Sequence, residues 1–106
     1  MATIEDFAKL DLRIGEIISA EKIPDSDKLL QLEVSFGDEQ RQIIAGIGKS
    51  YQASDLPGLK ACFIFNFEAK TLAGRESAGM ILAGSGDQGP IILVPQKDLP
   101  AGAKVK

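Results

Sequence analysis

The sequence contains no histidine and only one cysteine. Without histidine it lacks the usual catalytic triads and the commonest metal ligand, and one cysteine is too few to build a zinc site. Cys62 also has no partner for a disulfide bond, which is typical of proteins from a reducing compartment. We therefore expect a cytoplasmic protein that is not an enzyme, with no catalytic residues, no metal and no cofactor.

Signals for membranes and for nucleotide-binding loops are also missing. No apolar run approaches the length that crosses a membrane, and the first residues carry acids where a signal peptide would be basic. The segment Ala45–Ser50 ends in Gly-Lys-Ser, but Ile43 stands where a phosphate-binding loop needs its first glycine. Asp25 and Asp27 lie close together, and we interpret them as residues of a solvated turn. Because no apolar run is long enough to cross a membrane, the sequence predicts no membrane partner.

The chain is acidic overall, with a formal net charge of −3 over 106 residues, which by itself argues against a nucleic-acid partner. The charge is unevenly distributed, because residues 1–40 carry a net −6 and residues 41–106 a net +3. A folded domain with this division can present a positive face. The length is that of one domain, which we place at residues 1–106.

Alternating apolar residues predict an all-β chain. The most regular pattern is Leu30, Leu32, Val34 and Phe36, while Gly15 marks a predicted bulge or bend in the first strand. Strands are predicted at residues 11–20, 30–36, 40–47, 59–65 and 77–83, with a short helix at residues 49–58 and a further short strand at residues 91–94. Three strands, a short helix and two more strands are the order of an OB-fold, a five-stranded barrel, here with a C-terminal extension.

The segment Asn66–Met80 is the candidate functional region, because it joins strands four and five, and that loop of an OB-fold commonly binds nucleic acid. It carries Lys70 and Arg75 on either side of Gly74, which permits a tight turn. An ordinary solvated loop is the competing interpretation.

Three aromatic residues alternate where the fourth strand meets this segment. Phe63, Phe65 and Phe67 fit either a platform for stacking bases or core packing. We favour core packing, because the neighbouring residues are apolar.

Several short motifs, taken together and in their order, resemble a known family. They are Asp-Leu-Arg-Ile-Gly at 11–15, Pro-Asp-Ser-Asp-Lys-Leu at 24–29, Arg-Gln-Ile-Ile-Ala-Gly-Ile at 41–47, Asn-Phe at 66–67, Gly74, and Ser-Ala-Gly-Met at 77–80. This set is similar to the tRNA-binding domain that is appended to many methionyl-tRNA synthetases and that also occurs as small free-standing tRNA-binding proteins. The resemblance runs from about Ile4 to the C-terminus.

The resemblance implies a dimeric OB-fold that grips tRNA by its shape, without catalysis, and assists aminoacylation in cis or in trans, with a methionyl-tRNA synthetase as a candidate partner. It implies RNA contacts at Asn66, Ser77 and Met80, with Lys28 and Arg41 as secondary positions. One departure stands out: family members usually continue after the Asn with Leu, a basic residue and Pro, whereas this chain has Phe-Glu-Ala at 67–69.

The same resemblance implies that the C-terminal portion forms a homodimer. The apolar residues expected at the interface are Ile91, Ile92, Leu93, Val94, Leu99 and Val105. A related group of small dimeric OB-fold proteins is associated with secretion and binds unfolded polypeptide, so a chaperone-like dimer is the alternative function. A third interpretation is an assembly module whose only partner is another protein.

Overall fold

A computed structural model describes residues 1–106 and shows a chain that is mostly β-structure, as predicted. The elements are α1 (Ile4–Ala8), β1 (Leu12–Lys22), β2 (Leu30–Ser35), β3 (Gln40–Ala45), a 3-10 turn (Ala53–Asp55), β4 (Lys60–Ile64), β5 (Lys70–Leu72), β6 (Arg75–Ser77), β7 (Met80–Ile81), β8 (Ala83–Gly86), β9 (Gly89–Ile92) and β10 (Lys104–Val105). None of its helices has the length and apolar character needed to cross a membrane.

Five antiparallel strands form a nearly closed barrel in the order β3-β2-β1-β4-β7, which confirms the predicted OB-fold. The long strand β1 is central, because its first half pairs with β4 and β10 and its second half with β2. At the open edge, the Ala78 N–H donates to the Gln42 carbonyl at 2.9 Å. The chain that leads into β7 is therefore held against β3.

The core lies inside the barrel and follows the alternation of the sequence. Leu32 and Val34 of β2 are fully buried, while Gln31 and Glu33, which alternate with them, point outward. Phe36 packs edge-on against Phe63, with ring centroids 5.5 Å apart. Burial of these apolar side chains is the main favourable term in folding, roughly 1.5–3 kcal/mol for each large residue.

Gly15 does not form the predicted bulge. It pairs in register with Ala61 of β4, and the irregularity in β1 lies between Ile17 and Ser19. The structure gives another reason for glycine here: a Cβ at this position would lie 2.5 Å from Cγ1 of Val34 and 2.8 Å from Cε1 of Phe36. Gly15 therefore allows β1 to approach the core closely.

The short helix predicted between strands three and four is only a 3-10 turn of three residues, Ala53–Asp55. Gln52 precedes the turn and provides no side-chain cap. Leu56 ends the turn, and the following Pro57 cannot continue a helix because it lacks a backbone N–H.

Two segments expected as loops contain hairpins. Residues 66–80 include the β5–β6 hairpin, whose turn residues Ala73 and Gly74 have φ values of 51° and 75°. Positive φ at both positions is the requirement of a type I′ turn, the turn that matches the twist of paired strands. The glycine-rich segment after residue 83 forms a second hairpin, β8–β9.

The packing at Gly15 predicts that the Gly15→Ala variant is less stable by about 1–3 kcal/mol, because the new methyl group overpacks the core. Urea denaturation of the purified protein measures this change. Gly84→Ala is the matched control, since Gly84 also lies in a strand and its nearest neighbour would be 3.9 Å from an added Cβ. Equal stability of the two variants would contradict the packing assigned to Gly15.

Candidate nucleic-acid interface

The β5–β6 hairpin is attached to the barrel through its second strand, β6. The Gln42 side chain of β3 donates from Nε2 to the Glu76 carbonyl at 2.9 Å. The Arg75 guanidinium donates from Nη1 to Oε1 of Gln31, which lies on β2, the strand beyond β3. Strand β5 pairs only with β6. The hairpin is thus fixed along one side and presents β5 to solvent.

Ser77 provides the buried part of this attachment. Its side chain is only 4% exposed, and its Oγ accepts the N–H of Ile44 at 2.9 Å and donates to the Gly79 carbonyl at 3.1 Å. The family resemblance implies RNA contact here, but the hydroxyl is inside the protein and both of its bonds are internal. In this structure it positions the hairpin against β3.

Arg41, a secondary position for RNA contact, stacks on an aromatic ring. Its guanidinium carbon lies 3.6 Å from the centroid of the Phe65 ring, and that of Arg13 lies 3.8 Å from the same centroid. Two groups at these distances must occupy opposite faces of the ring, so Phe65 cannot stack on a base. Arg41 also donates from Nε to the Glu39 carboxylate and from Nη1 to the Phe65 carbonyl, so the guanidinium is held by internal hydrogen bonds as well as by the ring.

Asn66 joins the end of β4 to the N-terminal segment. Its Oδ1 accepts the N–H of Asp11 at 2.8 Å, and its Nδ2 donates to the Lys9 carbonyl at 2.7 Å. Asp11 in turn accepts two hydrogen bonds from Arg13, at 3.0 and 2.8 Å, and these lower the pKa of the Asp11 carboxyl from its usual value. Three residues of the family motifs therefore form one structural cluster. Asn66 remains at the surface, but its amide has a structural role.

Two of the remaining predicted positions, Lys70 and Met80, line an apolar groove of about 260 Å³ beside the hairpin. Met80, 39% exposed, and Lys70, exposed and without an ion pair, both line it. Phe67, 41% exposed, lines the same groove. The other residues of the groove include Ile44, Leu72 and Ile81. This groove is the concave feature at the predicted functional region.

Lys28 lies just before β2, beside one end of the groove. Its carbonyl accepts the N–H of Gly48 at 2.7 Å, and Gly46 and Ile47, directly before Gly48, line the groove. The Lys28 side chain is exposed and makes no ion pair. The structure therefore brings Lys28, Lys70 and Met80 to one region, with Arg75 on the hairpin beside them.

Sequence reasoning missed the groove and the role of Phe67 in it. The alternation places Phe67 with Phe63 and Phe65 on a core face, and both of those rings are buried. Strand β4 ends at Ile64, however, so Phe67 lies beyond the strand and outside the barrel. The polar residues on either side of Phe67, Asn66 and Glu68, were the only signal of this change in the sequence.

The residues predicted for the dimer interface are mostly at the surface. Ile91, Leu93, Val94 and Leu99 are exposed and Val105 is half-buried, but Ile92 is only 6% exposed and packs in the barrel core. The structure therefore places Ile92 where it is not available to a partner, because β9 turns this side chain inward. An apolar groove of about 240 Å³ is lined by Ile14, Cys62, Leu93, Val94, Pro95, Leu99 and Val105.

The sequence is similar to a segment of known tRNA ligases. A protein-family model described as "Putative tRNA binding domain" matches residues 12–104. The chain is 48% identical over 99 residues to the methionine–tRNA ligase of Methanocaldococcus jannaschii and 45% identical over 107 residues to that of Deinococcus radiodurans. These matches cover 92% and 100% of the chain but only 15% and 16% of the two ligases.

Two solved structures match over the full length of the chain. The MetRS related protein from Pyrococcus horikoshii has a TM-score of 0.93 and 32% identity, with 98% of that protein covered. The chaperone CsaA from Bacillus anthracis has a TM-score of 0.90 and 37% identity, with 99% of that protein covered.

The contacts of Ser77 predict that Ser77→Ala lowers the free energy of unfolding by about 1–3 kcal/mol, because the buried N–H of Ile44 loses its acceptor. Amide hydrogen exchange should also become faster in the β5–β6 hairpin. Ser85→Ala, which removes an exposed hydroxyl, is the control and should leave stability unchanged within about 0.5 kcal/mol. A Ser77→Ala protein as stable as the parent would show that the hydroxyl does not hold the hairpin.

Proposed function

The chain belongs to the tRNA-binding domain family, and on that premise we propose that it binds tRNA as a homodimer, by shape and without catalysing a reaction. The observation that carries the proposal is the family match over residues 12–104, which includes the hairpin and the groove. Folded RNA is usually recognised through phosphates and 2′-hydroxyls rather than through base sequence. Shape recognition therefore requires only suitably spaced donors and cations on a rigid surface.

The candidate contacts divide into two roles. Lys28 and Lys70 provide free cations for phosphates, and Met80 provides an apolar contact in the groove. Arg75 adds a positive charge on the hairpin, while its Nη1 also donates to Gln31 and helps to hold the hairpin in place. The others act through the fold, because their side chains are engaged in hydrogen bonds that position β3, β6 and the N-terminal segment; they are Asn66, Ser77 and Arg41. Gly74 lies in the turn of the hairpin. A Cβ added there would meet open space, so no packing contact requires glycine at this position.

We further propose that the domain assists aminoacylation in the cytoplasm. The two ligases above contain a segment similar to this chain that makes up 15–16% of their length. A domain of this kind raises the effective concentration of tRNA at a catalytic domain when the two are linked, and it acts in trans when they are separate. The proposed partner is a methionyl-tRNA synthetase.

The proposed dimer is supported by a continuous apolar surface. The groove beside Leu93 and Val94 meets a second groove, of about 350 Å³, at the shared residue Val105. Helix α1 lines the second groove with Ile4 and Phe7, both exposed.

Helix α1 also lacks internal support. The helix is capped by the Thr3 hydroxyl, which accepts the Asp6 N–H at 3.2 Å, yet none of its five residues is buried. A helix this short is marginal without packing, so a second subunit that covers it would stabilise it.

A chaperone-like function that binds unfolded polypeptide is the second candidate. It is favoured by the full-length similarity to CsaA from Bacillus anthracis and by the apolar character of the groove that Phe67, Leu72 and Met80 line. An apolar groove accepts an apolar side chain as readily as a base. The two functions predict different dependences of binding on salt concentration and different outcomes when unfolded polypeptide competes with tRNA.

The tRNA proposal predicts salt-sensitive binding that depends on the hairpin. Titration of the protein with mixed tRNA should give an affinity that falls with salt, and single-stranded RNA and duplex DNA should bind more weakly. The Lys70→Ala/Arg75→Ala variant should bind tRNA at least about tenfold more weakly, with a logarithmic salt slope reduced by about two. Lys22→Ala/Lys97→Ala removes the same charge at exposed positions that line neither this groove nor the two grooves of the proposed dimer surface, and it should keep most of the affinity.

Two results would count against this proposal. Equal binding of tRNA and the other polyanions would exclude shape recognition. Binding that is lost to an unfolded polypeptide competitor, with no salt dependence, would favour the chaperone-like function.

The dimer proposal predicts that the parent protein sediments with the mass of two chains and that Leu93→Asp sediments with the mass of one, because a carboxylate would be buried in an apolar interface. Sedimentation equilibrium measures both. Ile18→Asp is the control, since Ile18 is equally apolar, 44% exposed, and lines none of the grooves. A parent protein that is monomeric at micromolar concentration would overturn the dimer.

A further inference from the structure

We propose that Phe67 is a stacking platform for one unstacked base of the bound RNA, held in the groove beside the β5–β6 hairpin. This inference rests on the proposed tRNA-binding function and specifies how the groove takes part in it. It assigns to Phe67 alone a role that the sequence left open for three phenylalanines, at a position where the resemblance implies no RNA contact.

Phe67 is the aromatic residue that is free to stack on RNA. Of the five phenylalanines, Phe36, Phe63 and Phe65 are buried, and Phe65 is also covered on both faces by guanidinium groups. Phe7 is exposed, but it lies on α1 in the surface proposed for the dimer. Phe67 is 41% exposed and lines the groove at the candidate interface.

The single tyrosine is engaged elsewhere in the fold. Tyr51 is half-buried and packs against the barrel core, and its hydroxyl accepts the N–H of Ile92 at 3.0 Å. It does not line the groove beside the hairpin. Tyr51 therefore does not compete with Phe67 for the role of a stacking platform.

The groove has a size and lining suited to a single base. Its volume of about 260 Å³ is below the roughly 300–1,000 Å³ of pockets for drug-sized ligands, which favours one ring system as the occupant. Leu72, Met80 and Ile44 line it together with Phe67, so an inserted base would be surrounded mainly by apolar and aromatic side chains. Sulfur and aromatic groups are favourable contacts for a π system.

The charges around the groove favour nucleic acid over an apolar side chain. Lys70 lines the groove and has no anionic partner within the protein, so a phosphate attached to the inserted base would lie near a free ammonium group. An apolar side chain of a polypeptide carries no anion that could pair with it. Charge complementarity therefore favours a nucleotide over an apolar side chain as the occupant.

The same charges explain why a stacking contact is needed. Residues 66–80 contain two cations, Lys70 and Arg75, and two anions, Glu68 and Glu76. The segment therefore carries no net charge. Attraction to phosphates alone is accordingly weak at this surface. Stacking of a base on an aromatic ring is independent of net charge and tolerates any base, which fits a protein that recognises RNA by shape.

The test is a series of substitutions at Phe67 with tRNA affinity as the measurement. Phe67→Trp should bind at least as tightly as the parent, whereas Phe67→Leu and Phe67→Ala should both bind about 5- to 100-fold more weakly. The salt slope should stay unchanged, because no phosphate contact is removed. The exposed position of Phe67 predicts native stability for all three variants, which urea denaturation verifies.

The Phe67→Trp variant also reports contact directly, because the chain has no other tryptophan. Its emission should be quenched by tRNA and by a short single-stranded oligoribonucleotide at saturating concentration, and it should not be quenched by an abasic oligonucleotide of the same charge. Ile18→Trp, at an exposed position outside the grooves, is the control and should show no quenching.

The failures of the two proposals are distinguishable. If the parent binds tRNA and the Leu and Ala variants bind equally well, stacking at Phe67 is overturned while tRNA binding stands. If Leu retains the affinity and only Ala loses it, the contact is apolar rather than stacked, which also overturns the proposal. If the parent does not bind tRNA, and unfolded polypeptide alone changes the tryptophan emission of the Phe67→Trp variant, the proposed function itself fails.

Discussion

The hydrogen bond from the Ile44 N–H to the Ser77 hydroxyl is the contact on which the candidate interface depends. It joins β3 to the hairpin at the open edge of the barrel, where β6 does not pair directly with β3, together with the bond from the Ala78 N–H to the Gln42 carbonyl. The groove exists because the hairpin is held at this one edge while Lys70 and Phe67 stay exposed. A buried polar contact thus determines the shape of an exposed surface.

The motif residues around Phe65 serve a similar purpose. Arg13 and Arg41 cover the two faces of Phe65, and Asn66 ties the N-terminal segment to the end of β4 through its bonds to Lys9 and Asp11. The paired charges are partly exposed, so each contributes modestly to stability, but two guanidinium groups on one ring fix its position from both sides. Residues that identify the family are therefore in large part residues that fix the geometry of the binding surface.

The sequence was sufficient to predict the barrel but not the details of the site. Alternation in β2 identified its inward face, because only one register buries Leu32 and Val34. Alternation was misleading for Phe67, because it holds only within a strand and Phe67 lies past the end of β4. The resemblance assigned Ile92 to the dimer interface together with its neighbours, but β9 turns this side chain into the core. The bond of Ser77 to β3 joins residues 33 positions apart, which no local pattern reveals.

An acidic chain that binds a polyanion must depend on short-range contacts, because the summed field of its net −3 charge opposes association. The chain has Phe-Glu-Ala at 67–69, where the family usually has Leu, a basic residue and Pro. With an anion in place of a cation, the proposed contact depends less on attraction between charges and more on stacking. In the proposed dimer, two such surfaces face one rigid ligand, so the second contact forms at a high effective concentration. Two weak sites then suffice for binding, provided that each barrel holds its groove rigidly and the two grooves stay at a fixed distance. The internal hydrogen bonds of Ser77 and Asn66 provide that rigidity.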